Sequence, residues 1–428
     1  MSELIRLAEA AALIRRQLPA LGSERVPLQA ASGRLLAGDI RSPIALPSFD
    51  HAAMDGYALC ADLPLAAGAE HRVGGSRAAG DAVTEAAAGT DDACEIMTGA
   101  ALPFGLDAVV AVERTQVLQA QADGTPVRIR LLDPLRAGDN VRRRGSDVAQ
   151  AAPVLAAGTC IGPAQLMLLA AVGVAQVEVV RRARVAIICT GKELQADPTQ
   201  PLAAGRIHNS NGPYLVAALT AAGAQVLSCD SVDDTATTFA AAVQRALDAG
   251  ADLVVSTGAV SMGRHDFVPD ALRRHAAQLL FHKLAIRPGK PLLCARLAGG
   301  PLIFALPGTP MAVAAGMRFV VAPALRAMAG QADEAALHAR LDTPQQPKPG
   351  LRHFLRASLQ QHADGSLRAQ VHAQQQPFRI RPFAEADVWV VLPEDAGDCA
   401  AGTRVQVVSL DAGAPPRIQP VTAATERA

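Results

Sequence analysis

The stretch DLVVSTGAVSMGRHDF, Asp252 to Phe267, decides the fold class of this chain. It begins as a run of branched apolar residues without polar alternation, which is typical of a strand buried in a parallel sheet. It then turns abruptly to glycine, serine and charge, so Gly258, Ser261 and Gly263 are expected at the carboxyl end of that strand. Ligands bind at this end of open α/β sheets, and glycines let backbone N–H groups approach an anion. A plain structural turn is the alternative, because the loop lacks both glycine fingerprints of nucleotide-binding folds.

A regular alternation of strands and helices surrounds this stretch. Strands are predicted at RVAIICT, AQVLSC, PLLCARL and PLIFAL, with helices between several of them and another after PGTP. Asn209 or Ser210 is expected to cap the first of these helices. The alternation predicts a doubly wound α/β domain at residues 181–330.

The remainder of the chain has different patterns. Apolar spacing predicts an amphipathic helix at the N-terminus and a short helix over Pro163–Val172 that ends at Gly173. Short apolar pieces between Gly and Asp turns predict a β-rich module from about residue 57 to 139, with a boundary near residue 46. A composition rich in Gln, Pro and Ala predicts a linker at 331–350, followed by short alternating strands that predict a small β-barrel.

Composition limits the possible functions. Forty Lys plus Arg balance forty Asp plus Glu, and only 3% of residues are aromatic, which disfavours binding of nucleic acid. The seven cysteines never form a C-x-x-C pair, so neither a disulfide framework nor a zinc site is predicted, and a reducing cytoplasm fits. No signal peptide is recognised, and no stretch reaches about 18 uninterrupted apolar residues, so no membrane span is expected.

Several loops place glycine or proline beside a carboxylate, a lysine or a hydroxyl. Four of them follow predicted strands of the α/β domain, so their side chains are expected to meet along one sheet edge. Lys290 lies in RPGKP, a rigid turn that suits an anion-binding side chain. Carboxylates beside a phosphate site indicate a divalent cation, because Mg²⁺ prefers one or two carboxylates with phosphate and water oxygens.

Each of these residues also has a purely structural interpretation. Asp55 can be part of an ordinary Asp-Gly turn, Thr98 can cap a turn, and Asp233 or Asp234 can cap a helix. The histidines lack metal-ligand spacing and are treated as ordinary.

Seven motifs together resemble one family. In chain order they are PSFDHAAMDGYA, IMTGAALPFGLDAVVAVE, NVRRRGSDV, GRIHNSN, DLVVSTGAVSMGRHDF, KLAIRPGKP and ALPGTP. Over about residues 3–410 the chain is similar to the molybdopterin molybdenumtransferase family, the MoeA type related to the gephyrin E domain. The resemblance implies insertion of molybdate into the dithiolene of adenylylated molybdopterin, with Mg²⁺-dependent release of AMP.

The resemblance also implies an architecture and partners. Its four parts are an elongated discontinuous domain at 1–45 and 140–180, an inserted β-rich domain at 46–139, the α/β molybdopterin-binding domain at 181–330 and a C-terminal β-barrel at 335–415. A homodimer with a shared active-site cleft is implied. Molybdopterin adenylyltransferase and molybdoenzymes or their chaperones are candidate partners.

Matched position by position, the resemblance implies roles for specific residues. The implied catalytic residues are Asp55, Thr98, Asp233, Asp266, Lys283 and Lys290. The implied binding residues for the molybdopterin substrate are Thr190, Glu193, Ser210, Gly258, Ser261, Gly263, Arg287, Pro307 and Pro310. The implied Mg²⁺ ligands are Asp55, Glu193, Asp233 and Asp266.

The chain departs from the family pattern at several positions. Lys192 stands where an acid is usual, and Ala259 stands where a glycine is usual, which is unfavourable if φ there is positive. The other departures are Arg287 for lysine, Thr309 for asparagine, His51-Ala52 for Asn-Ser, and QQPFRIRPF for a Gly/Ser-rich barrel stretch in which Arg379 or Arg381 can replace lost anion contacts.

Two other functions stay open, and the departures motivate the first of them. One is a diverged paralogue that binds molybdopterin or a partner protein without catalysing insertion. The other is an ordinary nucleotide-binding α/β enzyme.

Overall fold

The computed structural model describes residues 4–82, 92–195, 197–260, 267–274 and 277–420. The chain divides into two compact units. The first consists of Met1–Glu24 and Val180–Ala428 and contains an α/β sheet and a barrel, whereas the second consists of Arg25–Val179 and contains a curled sheet.

The described elements are numbered in chain order. Helix α1 spans Leu7–Gln17. From residue 23 to 180 they are β1 Ser23–Pro27, β2 Ile40–Arg41, β3 His51–Ala52, β4 Gly56–Leu59, β5 Glu70–Arg77, β6 Asp92–Ile96, β7 Ala108–Ala111, β8 Thr115–Ala120, β9 Pro126–Leu131, β10 Val141–Arg142, β11 Pro153–Leu155, α2 Pro163–Ala171 and β12 Gln176–Val180.

From residue 184 to 328 the elements are β13 Arg184–Thr190, β14 Leu194–Gln195, β15 Ile207–His208, α3 Asn211–Ala221, β16 Gln225–Val232, α4 Ala236–Asp248, β17 Leu253–Thr257, α5 Val268–Arg274, β18 Gln278–His282, β19 Ile286–Arg287, β20 Leu293–Arg296, β21 Leu302–Leu306, α6 Pro310–Gly316 and α7 Ala322–Met328. A π-helical turn, Met317–Val321, joins α6 to α7. The last elements are β22 Leu337–Leu341, β23 Arg352–Gln361, β24 Leu367–Val371, α8 Arg381–Ala384, β25 Val388–Leu392, β26 Arg404–Ser409 and β27 Gln419–Pro420.

The unit of residues 25–179 contains a six-stranded sheet of order β7-β4-β6-β5-β9-β8. The sheet is curled into a half-barrel around a core that includes Tyr57, Leu59 and Ile129. A Cβ at Gly56 would lie 1.8 Å from the Val110 carbonyl oxygen, so β4 and β7 can pair this closely only because residue 56 is glycine. This constraint fixes the start of β4, which directly follows Asp55.

The other unit contains a six-stranded sheet of order β16-β13-β17-β21-β20-β18. The first four strands are parallel, and β20 and β18 add antiparallel pairs. Alternate residues of β13 enter two separate cores: Ile187 packs in the core that holds α3 and α6, and Ile188 packs in the core that holds α4 and α5. Both faces of the sheet are therefore covered by helices, which explains the unbroken apolar runs of its strands and confirms the predicted doubly wound class.

Helix α1 confirms the predicted N-terminal amphipathic helix. Ala10 and Ile14 are buried in the first of these cores, while Glu9 accepts the Arg6 N–H at its N-terminus. The continuous helical stretch Pro310–Met328 is long and apolar enough to cross a membrane, but 78% of an 18-residue apolar segment within it is buried inside the protein, as in a core helix.

The C-terminal strands form a closed five-stranded barrel. The pairing runs β23-β24-β22-β26-β25 and returns to β23, with β19 and β27 added at β23. The predicted linker at 331–350 is therefore wrong in part, because Leu337–Leu341 is the barrel strand β22. Ala339 and Leu341 are buried in the barrel core, and their period-2 spacing is the signal that the composition concealed.

The short helix α2 confirms the prediction for Pro163–Val172. Gly173, at φ 79°, follows it in the left-handed conformation expected for a residue that ends a helix. All seven cysteines carry free thiols.

Candidate functional site

A cleft of 660 Å³ opens at the carboxyl ends of β13, β17 and β21. Its walls come from the loops after these strands, the N-terminus of α3, the segment around β19, and the barrel. Parallel strands deliver their following loops to one edge, so this convergence is a direct consequence of the sheet order. The predicted site residues that line the cleft are Thr190, Glu193, Ser210, Gly258, Arg287, Lys290, Pro307 and Pro310.

The loops after β13 and β17 touch at Gly258. Gly258 has φ 91°, and a Cβ there would lie 2.6 Å from both the carbonyl oxygen and Oγ1 of Thr190. The Thr190 hydroxyl in turn donates to the Thr257 carbonyl at 3.0 Å. Glycine is thus required at residue 258 for both the backbone conformation and the close approach of the two loops.

The next residue, Ala259, also has a positive φ of 49°. Alanine is therefore less favourable than glycine at this position. The left-handed conformation costs about 1–2 kcal/mol for a residue that has a Cβ. Val260, which follows, is buried, and its carbonyl oxygen lies 3.0 Å from His282 Nε2. These contacts hold the strained backbone in place.

The N-terminus of α3 faces the cleft with a ring of polar side chains. Of the two predicted caps, Asn209 accepts the Gly212 N–H through Oδ1 at 3.0 Å, whereas the Ser210 side chain makes no capping bond and lies on the cleft wall. Asn211 donates to the Gly308 carbonyl at 2.8 Å. This bond ties α3 to the loop after β21, so the partial positive charge of the helix terminus is directed at the site.

The acidic wall is formed by Glu193 and Asp234. Asp233, the residue predicted from the resemblance, is exposed and does not line the cleft. The helix-capping alternative is wrong for both aspartates, because the Thr235 hydroxyl caps α4 by accepting the Thr238 N–H at 3.2 Å. Asp234 instead accepts the Lys192 N–H at 3.3 Å, which draws its carboxylate towards the loop after β13.

The basic wall contains Arg287 and Lys290. The turn that carries them is closed by hydrogen bonds from the Leu284 N–H to the Lys290 carbonyl and from the Leu292 N–H to the Gly289 carbonyl, at 2.8 and 3.0 Å. Both basic side chains are exposed, and neither forms an ion pair within the described part of the chain. They are available to an anionic ligand.

The barrel completes the cleft with Lys348, Leu351 and Pro377. The Lys348 N–H donates to His353 Nε2 at 3.0 Å. Burial lowers the pKa of His353, and the Arg287 charge lowers it further. The imidazole is therefore neutral at neutral pH and keeps Nε2 free to accept this bond.

Arg379 and Arg381 do not replace the lost anion contacts at this cleft. Neither residue lines it. Arg381 pairs with Glu385 at 2.8 Å, and the Arg379 guanidinium lies over the Phe378 ring, 5.6 Å from its centroid.

Lys283 is half-buried and does not line the cleft. Its φ of 84° places a side chain in the left-handed region, so its backbone is strained. Ser261, Gly263 and Asp266 lie outside the described residues.

Asp55 and Thr98 belong to the unit of residues 25–179. The Thr98 N–H and hydroxyl both donate to Asp55 Oδ1, at 2.6 and 2.7 Å. These bonds, the hydroxyl first, hold the pKa of Asp55 below its ordinary value. The structure thus joins two predicted residues 43 positions apart in sequence.

Two charged residues that line the cleft, Asp234 and Lys348, were missed as site residues by the sequence predictions. Asp234 lies beside the residue that the family pattern selects, and sequence offers no means to choose between neighbours on a turn. Lys348 lies in the predicted linker. The scarcity of lysine in this chain is the sequence feature that could have drawn attention to Lys348.

The described residues contain no group of three or more His, Cys, Asp or Glu side chains that could hold a metal ion. Among the described residues, Glu193 and Asp234 are the carboxylates on the cleft wall. Their oxygens fit Mg²⁺ when the remaining ligands are substrate phosphates and water, which is the common arrangement for this cation.

Family models match the chain in three consecutive regions. Residues 5–173 match the MoeA N-terminal region (domain I and II), residues 186–327 match the probable molybdopterin binding domain, and residues 338–410 match the MoeA C-terminal region (domain IV).

Characterised sequences and a solved structure resemble the chain along nearly its whole length. A molybdopterin molybdenumtransferase from Synechococcus elongatus is 37% identical over 399 residues, covering 92% of this chain and 96% of that protein. One from Bacillus subtilis is 33% identical over 391 residues, covering 90% and 89%. The crystal structure of a molybdopterin biosynthesis MoeA protein from Pyrococcus horikoshii has a TM-score of 0.79 and 28% identity, covering 96% of this chain and 100% of that one.

Proposed function

The chain belongs to the MoeA-type molybdopterin molybdenumtransferase family, and from that premise we propose that it inserts molybdate into the dithiolene of adenylylated molybdopterin and releases AMP. The observation that carries this proposal is one cleft with carboxylates on one wall and unpaired cations on another. Molybdate is a dianion and the substrate carries a pyrophosphate, so both need cations and N–H donors.

The chain's own residues bind and orient the two reactants. Arg287 and Lys290 hold oxyanion groups through charge-assisted hydrogen bonds, each of which contributes about 1.5–3 kcal/mol. Gly258 allows the backbone to approach the bound substrate, and Asn209 and Asn211 fix the N-terminus of α3 beside it. These groups are positioned before the substrate arrives, which favours electrostatic stabilisation of charge that develops in the reaction.

Mg²⁺ is the divalent cation of this proposal. Glu193 and Asp234 would hold it from the acidic wall, with Asp233, Asp266 and Asp55 as further candidate ligands. A bound cation would supply neutralisation of phosphate charge, including the charge of the AMP leaving group. Lys192 carries a positive charge at a position where the family pattern has an acid. We therefore propose that fewer protein carboxylates ligate the cation here than the family pattern implies.

We further propose a cytoplasmic homodimer with a cleft shared between subunits. Asp55 and Thr98 are then contributed to the site by one subunit for its partner. An upstream molybdopterin adenylyltransferase supplies the substrate, and molybdoenzymes or their chaperones receive the product.

The binding-only paralogue is not favoured. The relatives matched along nearly the whole chain are named transferases, and Glu193 and Lys290 both line the cleft despite the departures elsewhere.

The test is AMP release by the purified protein given adenylylated molybdopterin, molybdate and Mg²⁺. We expect turnover that stops when Mg²⁺ is chelated. No AMP release and no active cofactor would contradict the proposal. Lys192→Asp separates it from the paralogue: loss from a working rate indicates an enzyme adapted to Lys192, whereas a rise from a negligible rate indicates a binder.

A further inference from the structure

Lysine is rare in this chain and its positions are not random. Of the forty basic side chains only four are lysine: Lys192, Lys283, Lys290 and Lys348. Lys290 and Lys348 line the cleft, Lys192 precedes the cleft residue Glu193, and Lys283 begins the segment that carries Lys290. Lysine is therefore concentrated at this cleft and in the segments beside it, whereas the remaining residues among the forty are all arginine.

Of the two lysines that line the cleft, Lys348 is the one that the proposed function does not use. It approaches from the barrel, a different part of the fold from Lys290. Its segment is anchored at two points: the Lys348 N–H bonds to buried His353, and the Gly350 N–H donates to the Glu394 carbonyl at 2.9 Å.

The register of the barrel places this segment beside the basic turn. Strand β19 pairs in parallel with β23, with Arg287 opposite His353. The residue that orients Lys348 is therefore the strand neighbour of a cation on the basic wall. The bond from the Lys348 N–H to the His353 side chain and the strand pairing of His353 with Arg287 together place the Lys348 backbone beside the basic turn.

Nothing in the described part of the chain neutralises this wall. Arg287, Lys290 and Lys348 are exposed to the cleft and take part in no ion pair there. Like charges gathered on one surface repel each other, and an anion between them relieves that repulsion. Lysine is a compact point charge with rotatable donors, whereas arginine is a planar fork suited to bidentate contact.

We propose that Lys348 is a specificity-determining residue that, from the barrel, binds a tetrahedral oxyanion group facing Lys290, and that this position requires an ammonium group. The group is either free molybdate or a phosphate of the nucleotide-bearing substrate, which share this chemistry. The identity of the ligand rests on the proposed function, but the requirement for a cation at residue 348 does not.

The test measures binding directly in the full-length protein, by calorimetric titration with molybdate alone and with ADP alone. Lys348→Gln removes the charge but keeps the backbone N–H that bonds to His353, so the fold is retained. We expect this variant to bind one of the two ligands about 10- to 100-fold more weakly than the unaltered protein does. Lys348→Arg should recover less than half of that loss. Arg404→Gln removes an exposed barrel charge outside the cleft and should change neither affinity.

The titrations with the two ligands distinguish free molybdate from a substrate phosphate as the oxyanion that Lys348 binds. Selective loss of molybdate binding assigns Lys348 to molybdate, and selective loss of ADP binding assigns it to the phosphate. Unchanged affinity of Lys348→Gln for both ligands, or no binding of either by the unaltered protein, overturns the inference. Full recovery by Lys348→Arg overturns the requirement for an ammonium group.

AMP release is assayed separately. A protein that binds oxyanions through Lys348 but releases no AMP contradicts the proposed function alone. A protein that releases AMP equally with and without Lys348, with unchanged affinity for both molybdate and ADP, contradicts this inference alone.

Discussion

At the amino end of the parallel sheet the charged side chains are paired with one another, whereas at the carboxyl end they face a cleft. Arg181 forms a two-pronged ion pair with Asp252 at 2.6 and 2.8 Å, and the Arg184 N–H adds a third bond at 2.7 Å. Arg184 is the first residue of β13, and Asp252 directly precedes β17. Beyond the other ends of the same strands, Glu193 and the cations around Lys290 make no such pairs within the described residues.

The difference separates charges that stabilise the fold from charges that await a ligand. Burial alone would raise the pKa of Asp252, but the hydrogen bonds and charges of Arg181 and Arg184 outweigh it and lower that pKa. At the amino end the protein thus supplies both partners of the ion pair. At the cleft it supplies one partner, and the substrate is expected to supply the other.

The sharpest test of this comparison is Lys290→Gln. If Lys290 is reserved for substrate, kcat/KM for AMP release should fall roughly 10- to 150-fold, the equivalent of one charge-assisted bond of about 1.5–3 kcal/mol. The thermal midpoint should not fall, because no protein partner is lost. Arg404→Gln is the matched control. If the activity of Lys290→Gln is within twofold of that of the unaltered protein, the proposed difference between the amino and carboxyl ends of the sheet is contradicted.

Asp252→Asn tests the opposite end. The free energy of unfolding should fall by about 1–3 kcal/mol, because Arg181 loses its charged partner in a half-buried setting. AMP release per folded molecule should not change. Denaturant unfolding of this variant and of Asp398→Asn, an exposed aspartate, measures the effect; equal stabilities would show that the pair contributes nothing.

The same pair predicts a dependence on pH. The folded pKa of Asp252 is lowered, so its contribution to stability is complete above the ordinary value of about 3.9 and is lost as the pH falls through the folded value. Asp252→Asn should therefore lose less stability than the unaltered protein on acidification through this range. Parallel curves of stability against pH would contradict the assignment.

The variant Thr98→Val tests whether Asp55 is a charge that stabilises the fold or a charge that acts on the substrate. Asp55 is hydrogen-bonded but has no cationic partner among the described residues, so it is intermediate between the two ends. If Asp55 acts in catalysis, loss of the hydroxyl that orients it should lower AMP release about tenfold. Thr98→Ser, which keeps the hydroxyl, should restore activity. A rate unchanged in Thr98→Val would place Asp55 with the structural charges.

Ala259→Gly has the smallest expected effect and concerns the backbone of the cleft. Relief of the left-handed strain should raise the free energy of unfolding by about 1 kcal/mol. Ala241→Gly, on the exposed face of α4, should lower it by about the same amount, because φ there is helical. A loss of stability in Ala259→Gly as well would show that the cleft loop is not strained.

Many of the local elements were predictable from residue patterns. The apolar runs of β13 and β17 identified buried parallel strands, and the glycine at 258 marked the turn that follows. Patterns failed where composition and spacing disagreed: the Gln- and Pro-rich context concealed β22, although Leu337, Ala339 and Leu341 alternate correctly. A local hydrophobic period is a more direct signal than average composition, because burial acts on individual side chains.

The sequence by itself determined the fold class, the family resemblance and the loops that carry glycine beside charge, since these depend on residues near one another in the chain. The tertiary structure alone decided that Asp234 rather than Asp233 reaches the cleft, that Lys348 joins Lys290 from the barrel, and that Arg379 and Arg381 do not. The reason is physical. Which of two adjacent side chains faces a site depends on the backbone direction at a turn, and which distant loop completes it depends on strand register, neither of which a local pattern encodes.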